Sequence, residues 1–275
     1  MNQSKFLATW AFTLAIGFGG LTSSLTAQSM WLDFKPQKAI ALEVLKPDFD
    51  FEGVTFATSA VFATFYLPVS DRVSLLGELP VAHYGQKATE FFESTSNTGL
   101  GNPYLGAELH FQDSPVFAEV GLRLPLADED NDANFTGAFT DAVDRLEAFA
   151  VDYIPLTAYL NYRHQGARGF AVRLRGGPSV LIATGDNDET EYGLNYGARI
   201  WYAGKQFRIG GGFGGRLILS GEGDFSERSM HQLGFNADLL VGQSRPGVYF
   251  RLPLDDDWND VVNFIFGLKF DVQWR

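Results

Sequence analysis

Val262-Asn263-Phe264-Ile265-Phe266-Gly267-Leu268-Lys269-Phe270-Asp271-Val272-Gln273-Trp274 decides the fold. Val262, Phe264, Phe266, Leu268, Phe270, Val272 and Trp274 share one face. Asn263, Gly267, Lys269, Asp271 and Gln273 share the other. Side chains alternate along a strand, so this stretch is a strand with one apolar and one polar face. The same period-two pattern runs back through the chain. Leu233, Phe235, Ala237, Leu239 and Val241 oppose Gln232, Gly234, Asn236 and Asp238. Val116, Ala118, Val120, Leu122, Leu124 and Leu126 oppose Phe117, Glu119, Gly121 and Arg123.

About twelve such segments follow one another, centred near 39–46, 55–67, 72–82, 100–111, 116–126, 149–162, 169–182, 192–203, 206–219, 230–241, 247–254 and 261–273. Many reach about ten residues, the length of a tilted strand crossing a bilayer. Closing them into a ring removes the exposed edges that so many strands would present. The polar faces carry Glu, Arg, Asn and Asp on almost every strand. A soluble barrel would have to bury those charges in a dry core, at high cost. The polar face is therefore read as a lumen and the apolar face as lipid-facing. No helical stripe competes, and the 127–148 stretch is the place for a short helix.

Composition agrees. The chain has 275 residues, a net charge of -12, 30 Gly, 25 Phe, and no Cys. The acidic balance argues against a nucleic-acid partner. The missing Cys excludes disulfide scaffolds, thiolate metal sites and a cysteine nucleophile. The acidic residues gather in the longer connections, such as Lys46 to Gly53, Ala127 to Glu147 and Asp255 to Asp260. The short connections lean basic through Arg72, Arg168, Lys205 and Arg245. Long loops outside and short turns in the periplasm are the usual barrel asymmetry, which places the charge on one acidic rim. Tyr66, Tyr84, Tyr162, Trp201, Tyr202, Trp258, Phe270 and Trp274 lie near strand ends and are expected at the lipid–water boundary.

Lys5, the apolar run Phe6 to Leu21, and the small residues through Ala27 read as a secretory signal peptide over 1–27. The expected barrel then spans 28–275. The expectation is an all-β, antiparallel transmembrane β-barrel of about twelve strands, in the outer membrane of a Gram-negative bacterium.

The stretch from Tyr66 to Ala127 carries a family likeness. It holds the turn Ser70-Asp71-Arg72, a strand with Leu79-Pro80, the strand start Gly99-Leu100-Gly101-Asn102 and the strand end Leu124-Pro125-Leu126. These resemble the meta-pathway of phenol degradation family, a group of transporter-like outer-membrane barrels. Asn102 stands where that family has Asp, and Leu126-Ala127 stand where it has Thr-Gly. The resemblance implies passive uptake of small molecules, hydrophobic or aromatic ones among them. It implies no enzymatic activity.

Lumen-facing charges sort by strand. Glu43, Glu78, Glu108 and Glu119 point inward from one side of the ring, and Arg173, Arg175, Arg199, Arg208, Arg216 and Arg251 from the other, a pattern that Arg123, Asp238, Lys269 and Asp271 blur. Glu78, Glu108, Glu119, Arg173, Arg175, Arg199 and Arg216 are the constriction candidates. Opposed walls would orient polar solutes in an open pore. The same charges could instead pair and fill the lumen, giving a non-conducting structural or surface-display barrel. The run Gly210 to Gly215 lacks the Lys-Ser/Thr of a phosphate loop and is read as room for bulky neighbours in the lumen. Asp128, Asp130 and Asp132 are weak candidates for a divalent cation in a loop. No metal or cofactor is expected. An outer-membrane hydrolase is the third reading, resting on His83 or His231 as base, but no Gly-x-Ser-x-Gly motif accompanies them. The expected partners are outer-membrane lipid and lipopolysaccharide, the barrel-assembly machinery, and a small-molecule solute.

Overall fold

Alternation decides each wall segment of the barrel. In the computed structural model, residues 29–33, 37–51, 53–89, 93–165, 169–185, 189–221 and 223–274 are described. The expected signal peptide, and its cut after Ala27, lie outside them. The wall runs β1 (Lys38–Phe49), β2 (Ser59–Pro68), β3 (Val73–Gln86), β4 (Thr95–Leu100), β5 (Tyr104–His110), β6 (Val116–Arg123), β7 (Tyr153–Gln165), β8 (Phe170–Ala183), β9 (Glu191–Ala203), β10 (Phe207–Ile218), β11 (Ser229–Leu239), β12 (Ser244–Pro253) and β13 (Val262–Trp274). Each strand pairs antiparallel with the next, except that β4 and β5 both pair with β3, and β1 pairs with β13 to close the ring.

The closed barrel has twelve wall positions, because β4 and β5 are two halves of one strand. Both pair with β3, β4 against Val81–Gln86 and β5 against Val73–Glu78. The break falls at Gly101-Asn102-Pro103. Gly101 N–H still reaches the Pro80 carbonyl, but Asn102 N–H turns to the carbonyl of Ala148 at 2.6 Å, and Pro103 has no N–H to give. The periodicity placed this strand at 100–111, so its first half was missed. The strand expected at 247–254 likewise begins earlier, at Ser244, because its turn closes tightly through paired Val241 and Ser244.

Burial is inverted relative to a soluble protein. Leu160 and Ile200 are each 58% exposed on the outside, while Glu119 and Arg251 are fully buried inside. An apolar belt facing outward with charge facing inward is the arrangement a lipid environment requires. No described helix is long and apolar enough to cross a membrane; this barrel crosses with strands.

Not all expected boundary aromatics lie there. Tyr66, Trp201 and Trp258 are buried, and Trp201 shares the inward face of β9 with Arg199. Tyr162 and Phe270 are exposed on the outer face. The inward aromatics fall on the same alternation phase as the lumen charges, which position near a strand end alone does not reveal.

Candidate functional site

The lumen is filled by two segments that are not wall. The connection between β6 and β7 folds into it as helix α1 (Asp132–Thr140), a helical turn α2 (Ala142–Arg145) and a 3-10 turn (Leu146–Ala148). A further turn, α3 (Asp256–Asn259), lies between β12 and β13. Asn131 caps α1, its side chain accepting from Ala133 N–H at 3.0 Å. The expected helix is therefore present, inside the barrel. Asp141, Asp144 and Glu147 consequently leave the acidic rim to which their loop was assigned and lie buried in the lumen.

This plug is charge-complementary to the walls. Arg145 faces the acidic side, donating to Glu43 at 2.9 Å and Glu78 at 3.0 Å while binding Asp141 at 2.6 Å. Its guanidinium also lies 3.7 Å from the centre of the Phe62 ring. The plug's carboxylates face the arginine side. Asp141 accepts from Arg251 at 2.5 Å, Glu147 accepts from Arg216 at 2.7 Å, and Asp144 pairs with Arg175. Burial would raise the Asp144 carboxyl, but Arg175, Arg145, the Ser29 hydroxyl and Arg251 hold it well below the usual carboxylate range. Between plug and wall, the void beside Glu78, Arg145 and Arg175 is only about 20 Å³, room for about one water.

The second segment is Ser29–Asp33, buried below the plug. Ser29 Oγ and Met30 N–H both donate to Asp144, at 2.7 and 2.9 Å, so one carboxylate joins strap, plug and wall. Arg199 donates to the Trp31 carbonyl at 2.7 Å, and Arg173 to the Leu32 carbonyl at 3.3 Å. Glycines make the space. A Cβ on Gly234 would stand 2.1 Å from the Trp31 ring, and one on Gly197 would stand 2.3 Å from Met30 Sδ. Within the glycine run, Gly214 faces Val143 of the plug and Gly210 faces Trp201, so bulky neighbours do occupy that space.

Asp33 lies at the end of the barrel that carries the short turns. Its carboxylate accepts from Arg163 at 3.1 Å and from Arg208 at 2.8 Å. Burial pushes its carboxyl up, but Arg208, Arg163, Arg199 and Arg173 outweigh this and bring it from 3.8 to about 2.

All seven constriction candidates face inward and are buried: Glu78, Glu108, Glu119, Arg173, Arg175, Arg199 and Arg216. They do not face one another across open space. Glu119 pairs with Arg173 along the wall at 3.1 Å, and Glu108 accepts from Tyr66 at 2.9 Å. Asp128, Asp130 and Asp132 do not come together. Asp128 accepts from Asp130 N–H and Asp132 from Asn97, and among the described residues no trio of such groups could hold a metal. His231 contacts Asp255 at 2.8 Å and Tyr196 at 2.6 Å, with no serine or threonine hydroxyl bonded to it among the described residues. His83 contacts the Thr98 hydroxyl at 2.9 Å on an exposed surface.

Sequence reasoning missed the plug residues Asp141, Asp144, Arg145 and Glu147, and the strap Trp31–Asp33. The signal available was composition. Asp141-Ala142-Val143-Asp144-Arg145-Leu146-Glu147 mixes buried-type apolar residues with charges of both signs, unlike the solvated loops.

No family model and no curated protein sequence matches the chain. Solved structures do. An outer-membrane channel from Pseudomonas putida F1 is 12% identical, with 90% of this chain and 100% of that one covered at a TM-score of 0.60. The NanC porin is 5% identical over 86% of this chain and 100% of its own, at 0.54. The translocator domain of the autotransporter NalP from Neisseria meningitidis is 8% identical over 99% and 97%, at 0.56. At these identities the likeness is one of fold. It upholds the outer-membrane barrel and leaves the phenol meta-pathway resemblance resting on its short motifs. The chain folds as a closed, twelve-position antiparallel barrel of the outer-membrane kind, shared with channels and porins.

Proposed function

We propose that this chain is a passive outer-membrane channel for small solutes, held shut in this conformation by its plug and strap, and not an enzyme. The observation that carries this reading is the charge match. The lumen walls are mostly of opposite sign, broken by Arg123 on one side and Asp238 and Asp271 on the other, and the inserted loop presents its cation to Glu43 and Glu78 and its carboxylates to Arg175, Arg216 and Arg251. A barrel filled for structure alone needs only wall side chains that meet across the lumen. Here glycines on the wall leave space for segments that a loop or chain end can carry away. Once those segments move, Arg175 and Arg216 lose their plug partners Asp144 and Glu147 and stand in an aqueous lumen with Glu78, while Arg173 and Glu119 stay paired along the wall. At His231 both imidazole nitrogens are engaged by Asp255 and Tyr196, and the only hydroxyl bonded to His83 among the described residues is Thr98 on an exposed surface with no acidic partner for the ring.

Residues 1–27 are removed on export as a signal peptide. The apolar belt sits among lipid and lipopolysaccharide, and β13 is the strand offered to the barrel-assembly machinery. Swelling of proteoliposomes in L-arabinose tests the channel. Vesicles with the native chain swell slowly. Vesicles in which residues 128–147 are replaced by a short Gly-Ser linker and residues 29–33 are deleted swell fast. Equally slow swelling in both would overturn the reading.

A further inference from the structure

At the short-turn end of the lumen, beneath the strap, lies a cavity of about 570 Å³. That falls in the range of small-molecule sites, about 300–1,000 Å³. Of the charged groups on its wall, three are the guanidiniums of Arg163, Arg208 and Arg245, and one is the carboxylate of Asp33. Trp201 and Ala171 supply an apolar side. Asp33 is not a wall residue. It belongs to the strap, and its two carboxylate oxygens divide between Arg163 and Arg208. Arg245 donates to the backbone carbonyl of Asp33 at 3.5 Å. A single carboxylate shared between two guanidiniums is how a protein recognises a carboxylate ligand.

Two details mark the site as built for an anion rather than filled by chance. The Asp33 side chain is itself 16% exposed, toward the space that a free ligand would enter. The guanidiniums are also held from behind. Arg208 Nε bonds Asp238 at 2.7 Å and Arg245 Nη2 bonds Gln273 at 2.8 Å, while the Nη1 of each reaches Asp33.

The geometry points to a carboxylate-binding site at this mouth of the barrel, made by Arg163, Arg208 and Arg245, with the Asp33 carboxylate occupying it as a tethered stand-in for a small organic carboxylate. This rests on the channel reading for its purpose, and names the class of solute. A free carboxylate that takes the place of Asp33 removes the strap's anchor to Arg163 and Arg208. Solute binding and strap release then share the same two guanidiniums. The apolar side against Trp201 suits a carboxylate carried on a ring or short hydrocarbon.

Calorimetric titration of the purified full barrel in detergent tests the site without requiring conduction. The probes are benzoate, and benzamide as its uncharged match. The native chain binds benzoate weakly, because Asp33 competes. Asp33→Asn binds it at least about tenfold more tightly, since a charge-assisted competitor is gone. Adding Arg163→Gln to Asp33→Asn returns affinity to the native level or below. Benzamide binds neither chain measurably. Equal benzoate affinity in the native chain and Asp33→Asn overturns the proposal, as does benzamide binding as tightly as benzoate. Asp33 lies off the wall, so its variant leaves the barrel's strand pairing intact. A silent bilayer recording beside positive titrations would remove the channel reading and keep the site. Conduction with no benzoate binding would do the reverse.

Discussion

Asn102 Nδ2 lies 2.6 Å from the Ala150 carbonyl oxygen, and this bond fixes where the inward loop leaves the lumen. The same nitrogen donates to the Glu147 carbonyl at 3.1 Å, while Oδ1 accepts from the N–H groups of Leu126 and Ala127 at 2.8 Å each. One amide thus clamps the loop at its entry and its exit. A carboxylate can accept those two bonds but cannot donate the other two, and it would press charge against two carbonyls. Asn102→Asp should cost roughly 2–4 kcal/mol in holding the loop. The check is limited trypsin digestion of the folded barrel. Cleavage after Arg145 is expected in the variant and absent in the native chain.

The wall was legible in the sequence because lipid enforces alternation. Each β13 side chain from Phe264 to Phe270 needs either lipid or lumen, and a shift by one residue would put Lys269 and Asp271 into hydrocarbon. The lumen charges were legible for the same reason. The break at Gly101-Asn102-Pro103 was not, because it depends on a carbonyl at Ala148, far along the chain. Nor was the plug. A loop holding Asp141, Asp144 and Glu147 reads as solvated until the arginines on β8, β10 and β12 are placed opposite it. Asp33 was invisible as a site residue because its partners come from β7 and β10, which only ring closure brings together.

Arg145 is the plug's cation, and three carboxylates bond it. Arg145→Met should strip buried Glu43 of its ion pair and leave Glu78 and Asp141 with Arg123 and Arg251 alone, at a cost of about 3–5 kcal/mol. Urea unfolding in detergent measures it. Arg145→Lys should recover only part of the loss, because an ammonium cannot span the three acceptors with a planar fork.

Gly234 leaves the space that the Trp31 ring fills. Gly234→Val suits a strand, so the wall should persist while Trp31 is driven out. With no native Cys, Met30→Cys reports this directly. Maleimide labelling of that thiol should be slow with Gly234 present and at least tenfold faster with Gly234→Val.

Asp33 gives the strap a pH response. Its carboxyl sits at about 2 when docked, against an ordinary 3.8, with Arg208, Arg163, Arg199, Arg173 and Arg245 around it. A depressed pKa contributes docking stability that is complete above about pH 4 and lost as pH falls through about 2. The shift corresponds to about 2 kcal/mol, since one unit is about 1.4 kcal/mol. Tryptophan fluorescence of the native barrel should therefore change between pH 4 and 2. In Asp33→Asn that transition should be missing, which separates it from titration of the plug's own carboxylates.

If plug and strap together close a lumen that otherwise conducts, removing both must open it. Single-channel recording of four proteins tests it most directly: the native chain, the chain lacking 29–33, the chain with 128–147 replaced by a Gly-Ser linker, and the chain with both changes. Small or absent steps are expected in the native chain, intermediate steps in the single variants, and large ohmic steps only when both segments are gone. A native chain that conducts as well as the double variant, or a double variant that stays silent, would contradict it.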